Sequence, residues 1–376
     1  MRMPLRDHPH VLMTADALGG IWQYSLDLGE GLVRRGFVVT IALLGPVPSR
    51  ERLLAAEAAS GCRILATGLS LDWMARAPAE VREAGAALAR LAVTLNADIV
   101  HLHSPALASR DYHVPIVAVC HSCGGTWWEA VETGPLPPDL AWRRDLTAEG
   151  CAIVDVLLAP THAFAAATQR VYGLVERPLV VRNGRRSPIG HSHSLPPQPY
   201  VFTAGRLWDR AKNAETLDQV AARLDWPLRA AGPMESPGGE RVEVMYLDCL
   251  GRLDDQGIAA QLGERPIFLS LARYEPFGLA VLEAASAGCA LVLSDVASFR
   301  ELWEGAALFV DPEDAGGAAA AIRGLVEDPD ERLRQGSAAR TRSSCYGVDA
   351  MTSGVVAVFR GCWTGTPVRS LAGAAA

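Results

Sequence analysis

Residues 10–44 read HVLMTADALGGIWQYSLDLGEGLVRRGFVVTIALL, and this stretch decides the fold. His10–Thr14 is an apolar run of strand length. Gly19-Gly20 makes a turn. Leu26, Leu28, Leu32 and Val33 recur at helical spacing within Ile21–Arg35, and Phe37–Leu44 is a second apolar run. Two strands joined through a helix, with no hairpin between them, predict a parallel pair with a crossover connection.

The same alternation extends outward. Cys62–Ala66, Asp98–His103, Pro115–His121 and Asp155–Ala159 read as further strands, with helices such as Ala79–Leu95 and Thr161–Tyr172 between them. Such runs, rich in Val, Ile and Leu, belong to a parallel sheet covered on both faces. An α/β, doubly wound domain over residues 1–188 is expected. Residues 187–199, SPIGHSHSLPPQP, have no apolar period and read as a linker, assigned to 189–199. The alternation restarts at Tyr200–Ala204 and continues through Glu243–Leu247, Pro266–Leu269, Ala290–Leu293 and Ala307–Val310. That predicts a second doubly wound domain over 200–345. Helical stretches at Glu331–Arg342 and Val348–Phe359 follow. The segment 346–363 is expected to pack back toward the first domain, and 364–376 to be a disordered tail. Two Rossmann-like domains joined by a hinge imply a cleft, with ligands at the carboxyl ends of the strands.

Length and composition agree. A chain of 376 residues, 49% hydrophobic, is long enough for two cores without disulfide or metal staples. The formal charge is −7; residues 1–188 carry 18 Arg against 18 Asp and Glu, leaving 17 basic against 24 acidic in the remainder. That sign disfavours a nucleic-acid partner or an acidic membrane surface. No apolar run approaches ~18 residues, so no membrane span is expected. MRMPLRDHPH lacks the apolar core of a signal peptide, and a cytoplasmic location is expected. The eight scattered cysteines read as reduced, buried thiols. Cys120 and Cys123 have CxxC spacing, but zinc needs a second such pair, so they read as structural thiols. The linker histidines His191 and His193 read as solvated.

Three constellations carry chemistry. The first is RYEPFGLAVLEAASA, Arg273–Ala287. Pro276 and Gly278 lie just before and at a helix start, where unpaired amides favour an anion. Glu283 is the lone charge on an otherwise apolar helix, so burial is expected and the carboxylate needs partners. A vicinal diol such as a ribose satisfies both oxygens; so does a nearby Arg, and the residues alone do not choose. The second is GRLWDRAKN, Gly205–Asn213. The chain has 34 Arg and a single Lys, Lys212. Arg206 and Lys212 at a strand's carboxyl end can neutralise a diphosphate without metal; two surface cations on a loop is the plainer reading. The third lies in the first domain. The Gly19-Gly20 turn permits close backbone approach. It is not GxGxxG, and no acidic residue ends the second strand, so a dinucleotide fingerprint is absent. His121 ends a strand ahead of Trp127-Trp128, a pattern suited to sugar rings or simply to core packing. His101 and His103 alternate on one strand, and one of them is expected in the core with its polar atoms satisfied.

With these residues in view, the chain resembles the retaining glycosyltransferases of the GT-B fold, family 4, from Val11 to about Phe359. The most specific part is Glu275-x7-Glu283 inside EPFGLAVLEAASAGCALVLSD, then GRLWDRAKN. DIVHLH, the strand-end His121, APTHAF and VVRNGR match more weakly. The resemblance implies a nucleotide-sugar donor held mainly by the second domain. Arg206 and Lys212 would hold the diphosphate. Glu283 would bind the ribose, while Glu275 and the backbone of Phe277, Gly278 and Leu279 would take the donor sugar and phosphate. Gly20 would close over the diphosphate, and His121 would sit near the transferred sugar. Arg252, in the loop LGRL, would frame the base. No metal or other cofactor is implied.

Two departures stand out: SLARYEPFG lacks the proline and serine many relatives carry after the strand, and the Arg206–Lys212 interval has one more residue than the commonest spacing. They leave the phosphate geometry open. The acceptor is a glycan, a lipid-linked sugar or a small metabolite, with weak peripheral membrane contact at most. A GT-B sugar-nucleotide epimerase or hydrolase and a non-catalytic sugar-nucleotide sensor are the competing readings. Donor turnover without acceptor separates the former.

Overall fold

The computed structural model describes residues 7–187 and 197–365. The linker core, with His191 and His193, and the end of the expected tail lie outside them. The chain divides into two units, one of Met1–Arg185 with Gly347–Ala376 and one of Arg186–Tyr346.

The first unit carries β1 (His10–Ala15), α1 (Gly20–Val33), β2 (Val38–Leu43), α2 (Arg50–Ser60), β3 (Arg63–Ala66), α3 (Pro78–Thr94), β4 (Ile99–Leu102), β5 (Ile116–Val119), α4 (Gly124–Val131), α5 (Pro138–Cys151), β6 (Val156–Ala159), α6 (His162–Tyr172) and β7 (Leu179–Val180). All seven strands are parallel, in the order β3-β2-β1-β4-β5-β6-β7. Short strands of Val, Ile and Leu buried on both faces leave room only for helices above and below. Val11, Met13, Ile41 and Val117 pack toward one helical layer, and Leu12, Val100 and Ala118 toward the other.

The second unit carries β8 (Val201–Ala204), α7 (Ala214–Ala221), β9 (Leu228–Ala231), β10 (Asp248–Gly251), α8 (Asp255–Gly263), β11 (Ile267–Ser270), α9 (Leu279–Ser286), β12 (Leu291–Ser294), α10 (Ala297–Trp303), β13 (Leu308–Val310), α11 (Ala315–Glu327) and α12 (Pro329–Ser343). Its parallel order is β10-β9-β8-β11-β12-β13. Both sheets therefore reverse direction once, between β1 and β4 and between β8 and β11. Ligands of open parallel sheets collect at the carboxyl ends flanking such a point.

The final helix, α13 (Val348–Thr364), belongs to the first unit. Its Val355, Val358 and Phe359 are fully buried in one cluster with Leu28 and Leu32 of α1. Thr352 Oγ1 lies where a Cβ on Gly31 would fall, so only glycine lets the two helices approach this closely.

Three strand assignments need correction. The expected strand Glu243–Leu247 is irregular, because the Asp218 carboxylate accepts the amides of Met245, Tyr246 and Leu247 at 2.9, 2.6 and 2.9 Å. Those amides cannot also join a ladder, and the strand begins at Asp248. The LRAA strand β9 is missing from the sequence reading, as is the two-residue β7.

Candidate active site

A pocket opens at the switch point of the second sheet, lined by Thr203, Gly205, Lys212, Ser270, Glu275 and Gly278 among others. Three short loops build it. After β8, Asp209 accepts from Ala211 N at 3.0 Å, which starts the turn carrying Lys212. Asn213 closes that turn at φ +59°. Its side chain donates to Leu271 O at 3.1 Å and Pro312 O at 2.7 Å and accepts from Thr216 at 2.8 Å. The buried Asn213 thus staples the loop after β8 to the ends of β11 and β13. After β11, Arg273 N donates to Ala211 O at 2.9 Å, and Ser298 Oγ donates to Glu275 O at 2.5 Å. After β9, Gly232 at φ +141° lies so close to Gly205 O that a Cβ would fall 1.7 Å from it.

Lys212 Nζ and Glu275 Oε2 meet at 2.5 Å, the two side chains being 22% and 18% exposed. Gly278 precedes α9 at φ +87°, and no side chain among the described residues caps the helix. A Cβ at 278 would press on Phe299 at 2.9 Å and on the Glu275 side chain at 3.3 Å. The first amides of α9 therefore open beside an ammonium–carboxylate pair, an arrangement suited to an anion next to hydroxyl groups.

The other expected residues of this unit are placed as follows. Arg206 pairs with the buried Asp209 at 2.9 Å rather than lining the pocket, with its guanidinium 5.5 Å from the Trp208 ring. Phe277 is buried against Tyr346, so only its backbone is available. Leu279 is the first residue of α9, and Glu283 sits one turn on, half-buried. The burial expected of Glu283 is thus only partial. Arg252 is exposed just after the edge strand β10, two strands from β8 and so about 10 Å aside.

In the first unit, α1 starts at Gly20 behind Gly19, both exposed, with no side-chain cap among the described residues. His121 follows β5 and is half-buried. Its ring meets Tyr24 edge-on at 4.5 Å and His103 at 5.1 Å. Burial lowers the His121 imidazole to about 3, so it is neutral at pH 7. Ser25 Oγ donates to Ile21 O at 2.7 Å and lies 3.2 Å from His103 Nδ1. The proton of that second contact must come from the imidazole, so His103 carries it on Nδ1. His101 lies 5.2 Å from His103, and burial likewise lowers it to about 3. The expectation of one satisfied core histidine is corrected: both are buried, and neither ring nitrogen of His101 has a partner among the described residues. Trp127 and Trp128 lie on α4, tilted 47° to each other rather than forming one flat platform. Tyr24, Ser25, Asp209 and Asn213 were not anticipated; only the polar run WDRAKN pointed toward the last two.

No disulfide joins any of the eight cysteines among the described residues, and Cys249 and Cys345 are exposed, which corrects the expectation that all are buried. Among the described residues, no group of three His, Cys, Asp or Glu could hold a metal ion and no helix is long and apolar enough to cross a membrane.

Comparison with known proteins gives a consistent picture. Residues 18–185 match Glycosyltransferase Family 4 and residues 193–342 match Glycosyl transferases group 1. A glycogen synthase of Mycobacterium tuberculosis is 38% identical over 95 residues, 25% of this chain and 23% of that protein's length. Sucrose-phosphate synthase from Thermosynechococcus elongatus superposes with a TM-score of 0.76 at 18% identity, covering 96% of this chain and all of that one. The Anabaena protein HepE, crystallised with UDP and glucose, superposes with a TM-score of 0.69 at 15% identity, covering 94% of this chain and all of that one.

Proposed function

This chain belongs to glycosyltransferase family 4, with the GT-B fold, and from that premise we propose that it moves a sugar, with retention, from a nucleoside-diphosphate sugar to an acceptor hydroxyl. The observation that carries the reading is the Lys212–Glu275 pair beside the uncapped start of α9, at the switch point of the second sheet.

In this proposal Lys212 and the amides of Gly278 and Leu279 take the diphosphate. Arg206, steered by Asp209, joins them. Glu275 accepts hydrogen bonds from the donor sugar, and Glu283 from the ribose. Arg252 borders the base. In the first unit, Gly20 and the neutral His121 are the candidates for closing over the diphosphate and for contacting the transferred sugar. Breaking the bond from the anomeric carbon to phosphate develops charge on the phosphate oxygens. A fixed ammonium and aligned amides stabilise charge where it forms. Glu275 acts on hydroxyls, so attack comes from the leaving-group face, with the departing phosphate taking the acceptor's proton. No metal is required in this scheme. A covalent glycosyl–Glu275 intermediate would overturn it.

The test is thermal unfolding with a panel of nucleoside diphosphates, with NAD as control, each with and without EDTA. A ligand at ~100 times its Kd adds about 2.7 kcal/mol of stability. A shift with one diphosphate, unchanged by EDTA and lost in Lys212→Ala, supports the reading and identifies the base. A shift with NAD alone, or none, sinks it. The anomeric configuration of the product, read by proton NMR, decides retention.

A further inference from the structure

Asn213 follows the chain's single lysine, Lys212, at the N-cap position of α7. It is 1% exposed, and its backbone is left-handed at φ +59°. An asparagine at an N-cap ordinarily accepts an amide of the helix it precedes. Here no amide of α7 among the described residues donates to the side chain. Instead Nδ2 donates to Leu271 O at 3.1 Å and to Pro312 O at 2.7 Å, while Oδ1 accepts from Thr216 Oγ1 at 2.8 Å. Both donors of the buried amide are therefore spent on other loops, and neither it nor the carbonyl caps the helix.

We propose that Asn213 is a positioning residue for sugar transfer, fixing where the Lys212 ammonium meets the charge that develops on the diphosphate. The proposal rests on the function read above, in which Lys212 is a diphosphate ligand. A lysine ammonium rides on a flexible stem and is placed only as well as its backbone and stem are held. The stem lies along Gly205, with Cγ, Cδ and Cε 3.6 to 3.7 Å from where a Cβ on Gly205 would fall. Ahead of the side chain, Lys212 N donates to Asp209 O at 2.7 Å. Behind it, Asn213 ties the backbone to Leu271, the first residue after β11 and the start of the loop that carries Glu275. Glu275 is held separately, by Ser298 Oγ on its carbonyl. Arg273 N on Ala211 O also joins the two loops, so removing the Asn213 amide loosens the lysine without parting the loops altogether.

Asn213→Gly keeps the left-handed backbone, which glycine adopts freely, and removes the amide alone. Leu271 O and Pro312 O then lose this donor, and buried carbonyls without a partner turn toward water. The Lys212 backbone moves with its neighbour. A misplacement of ~1 Å in a group that stabilises the transition state costs up to about 100-fold in rate. The loss should fall on kcat more than on donor KM, because charge on the leaving phosphate is greatest in the transition state.

The test has two arms. The first needs no substrate. With isotope-labelled lysine, NMR of the full chain reports Lys212 alone, since no other lysine is present. A held side chain gives its two Cε protons distinct shifts, and a loose one gives a single averaged shift. Distinct shifts are expected in the wild type and an averaged shift in Asn213→Gly. The second arm measures sugar transfer in Asn213→Gly, Lys212→Ala and the double variant. Asn213→Gly should lower kcat by about 10- to 100-fold, and in the Lys212→Ala background the same change should cost less than about threefold, because no ammonium is left to misplace. Should Asn213→Gly fail to fold in urea melts, Thr216→Val, which takes away the hydroxyl that orients the amide, carries both arms with an expected loss of about threefold in kcat. Distinct Cε shifts retained in the folded variant, or losses that simply add in the double variant, overturn the positioning role. An averaged shift in Asn213→Gly, with no transfer by the wild type from any nucleotide sugar, overturns the reading of the reaction and not the hold of Asn213 on Lys212.

Discussion

Replacing Glu275 with Gln removes one charge from the pocket of the second unit and leaves its shape intact. The carboxylate lies 2.5 Å from the Lys212 ammonium, and only 22% and 18% of the two side chains is exposed. Unit charges ~4 Å apart attract by about 4 kcal/mol at an effective permittivity of ~20. Desolvation offsets much of this. Losing one partner of a fully buried pair costs ~3–5 kcal/mol, because the other charge is left uncompensated. For a pair that keeps about a fifth of its surface in water, roughly 2 kcal/mol is a fair share of that range. In the empty protein the loss appears as reduced stability. A nucleoside diphosphate restores the compensation, so its affinity for Glu275→Gln should rise by about 2 kcal/mol, roughly 30-fold in Kd. Sugar transfer should fall at the same time, since the carboxylate no longer accepts from the donor hydroxyls. Isothermal titration with the diphosphate found in the stability panel measures the gain. In a Lys212→Ala background the gain should vanish, because no ammonium is left to be freed. A Kd in Glu275→Gln that is unchanged or weaker refutes the reasoning.

Three further outcomes follow from the structure. Gly278→Ala places a Cβ at positive φ against the Phe299 ring, so urea unfolding should show a loss of about 2 kcal/mol or more. Burial holds His101, His103 and His121 below the unfolded value of ~6.5. Their folded forms stay neutral while the unfolded chain takes up protons. Stability should be full above pH ~6.5 and fall as pH drops toward 3, by about 1.4 kcal/mol per pH unit for each histidine. His101→Leu should reduce that slope by one proton and cost nothing at pH 7, because neither ring nitrogen of His101 has a partner to lose. Urea melts at pH 5 and pH 7 measure both; an unchanged slope in His101→Leu would count against the buried neutral ring.

Most of the strands are legible because parallel sheets demand continuous apolar runs, as at Val11–Met13 and Leu291–Leu293. Strand β9 escaped because LRAA is short and carries Arg229, whose guanidinium lies over the Tyr200 ring 4.2 Å away. Residues 243–247 alternate like a strand, but Asp218, 27 to 29 residues upstream, captures their amides. The site residues were visible one by one as residue types at strand ends. Their pairing was not. Lys212 and Glu275 are 63 positions apart and meet only because β8 and β11 are neighbours in the sheet, a long-range fact that local periodicity does not carry. Asp209 was equally illegible as the partner of Arg206, since a polar loop residue looks the same whether it faces water or a guanidinium.

The helix α13 closes the first unit, although it follows the whole second unit in sequence. During synthesis the whole second unit emerges before Val355 and Phe359 do. Until then Leu28 and Leu32 of α1 lack their apolar cover, and the first unit waits as an unfinished core while a complete neighbour folds downstream. A nascent chain stalled or truncated before residue 348 would be recognised by chaperones and proteases through α1, at the opposite end of the sequence from the defect.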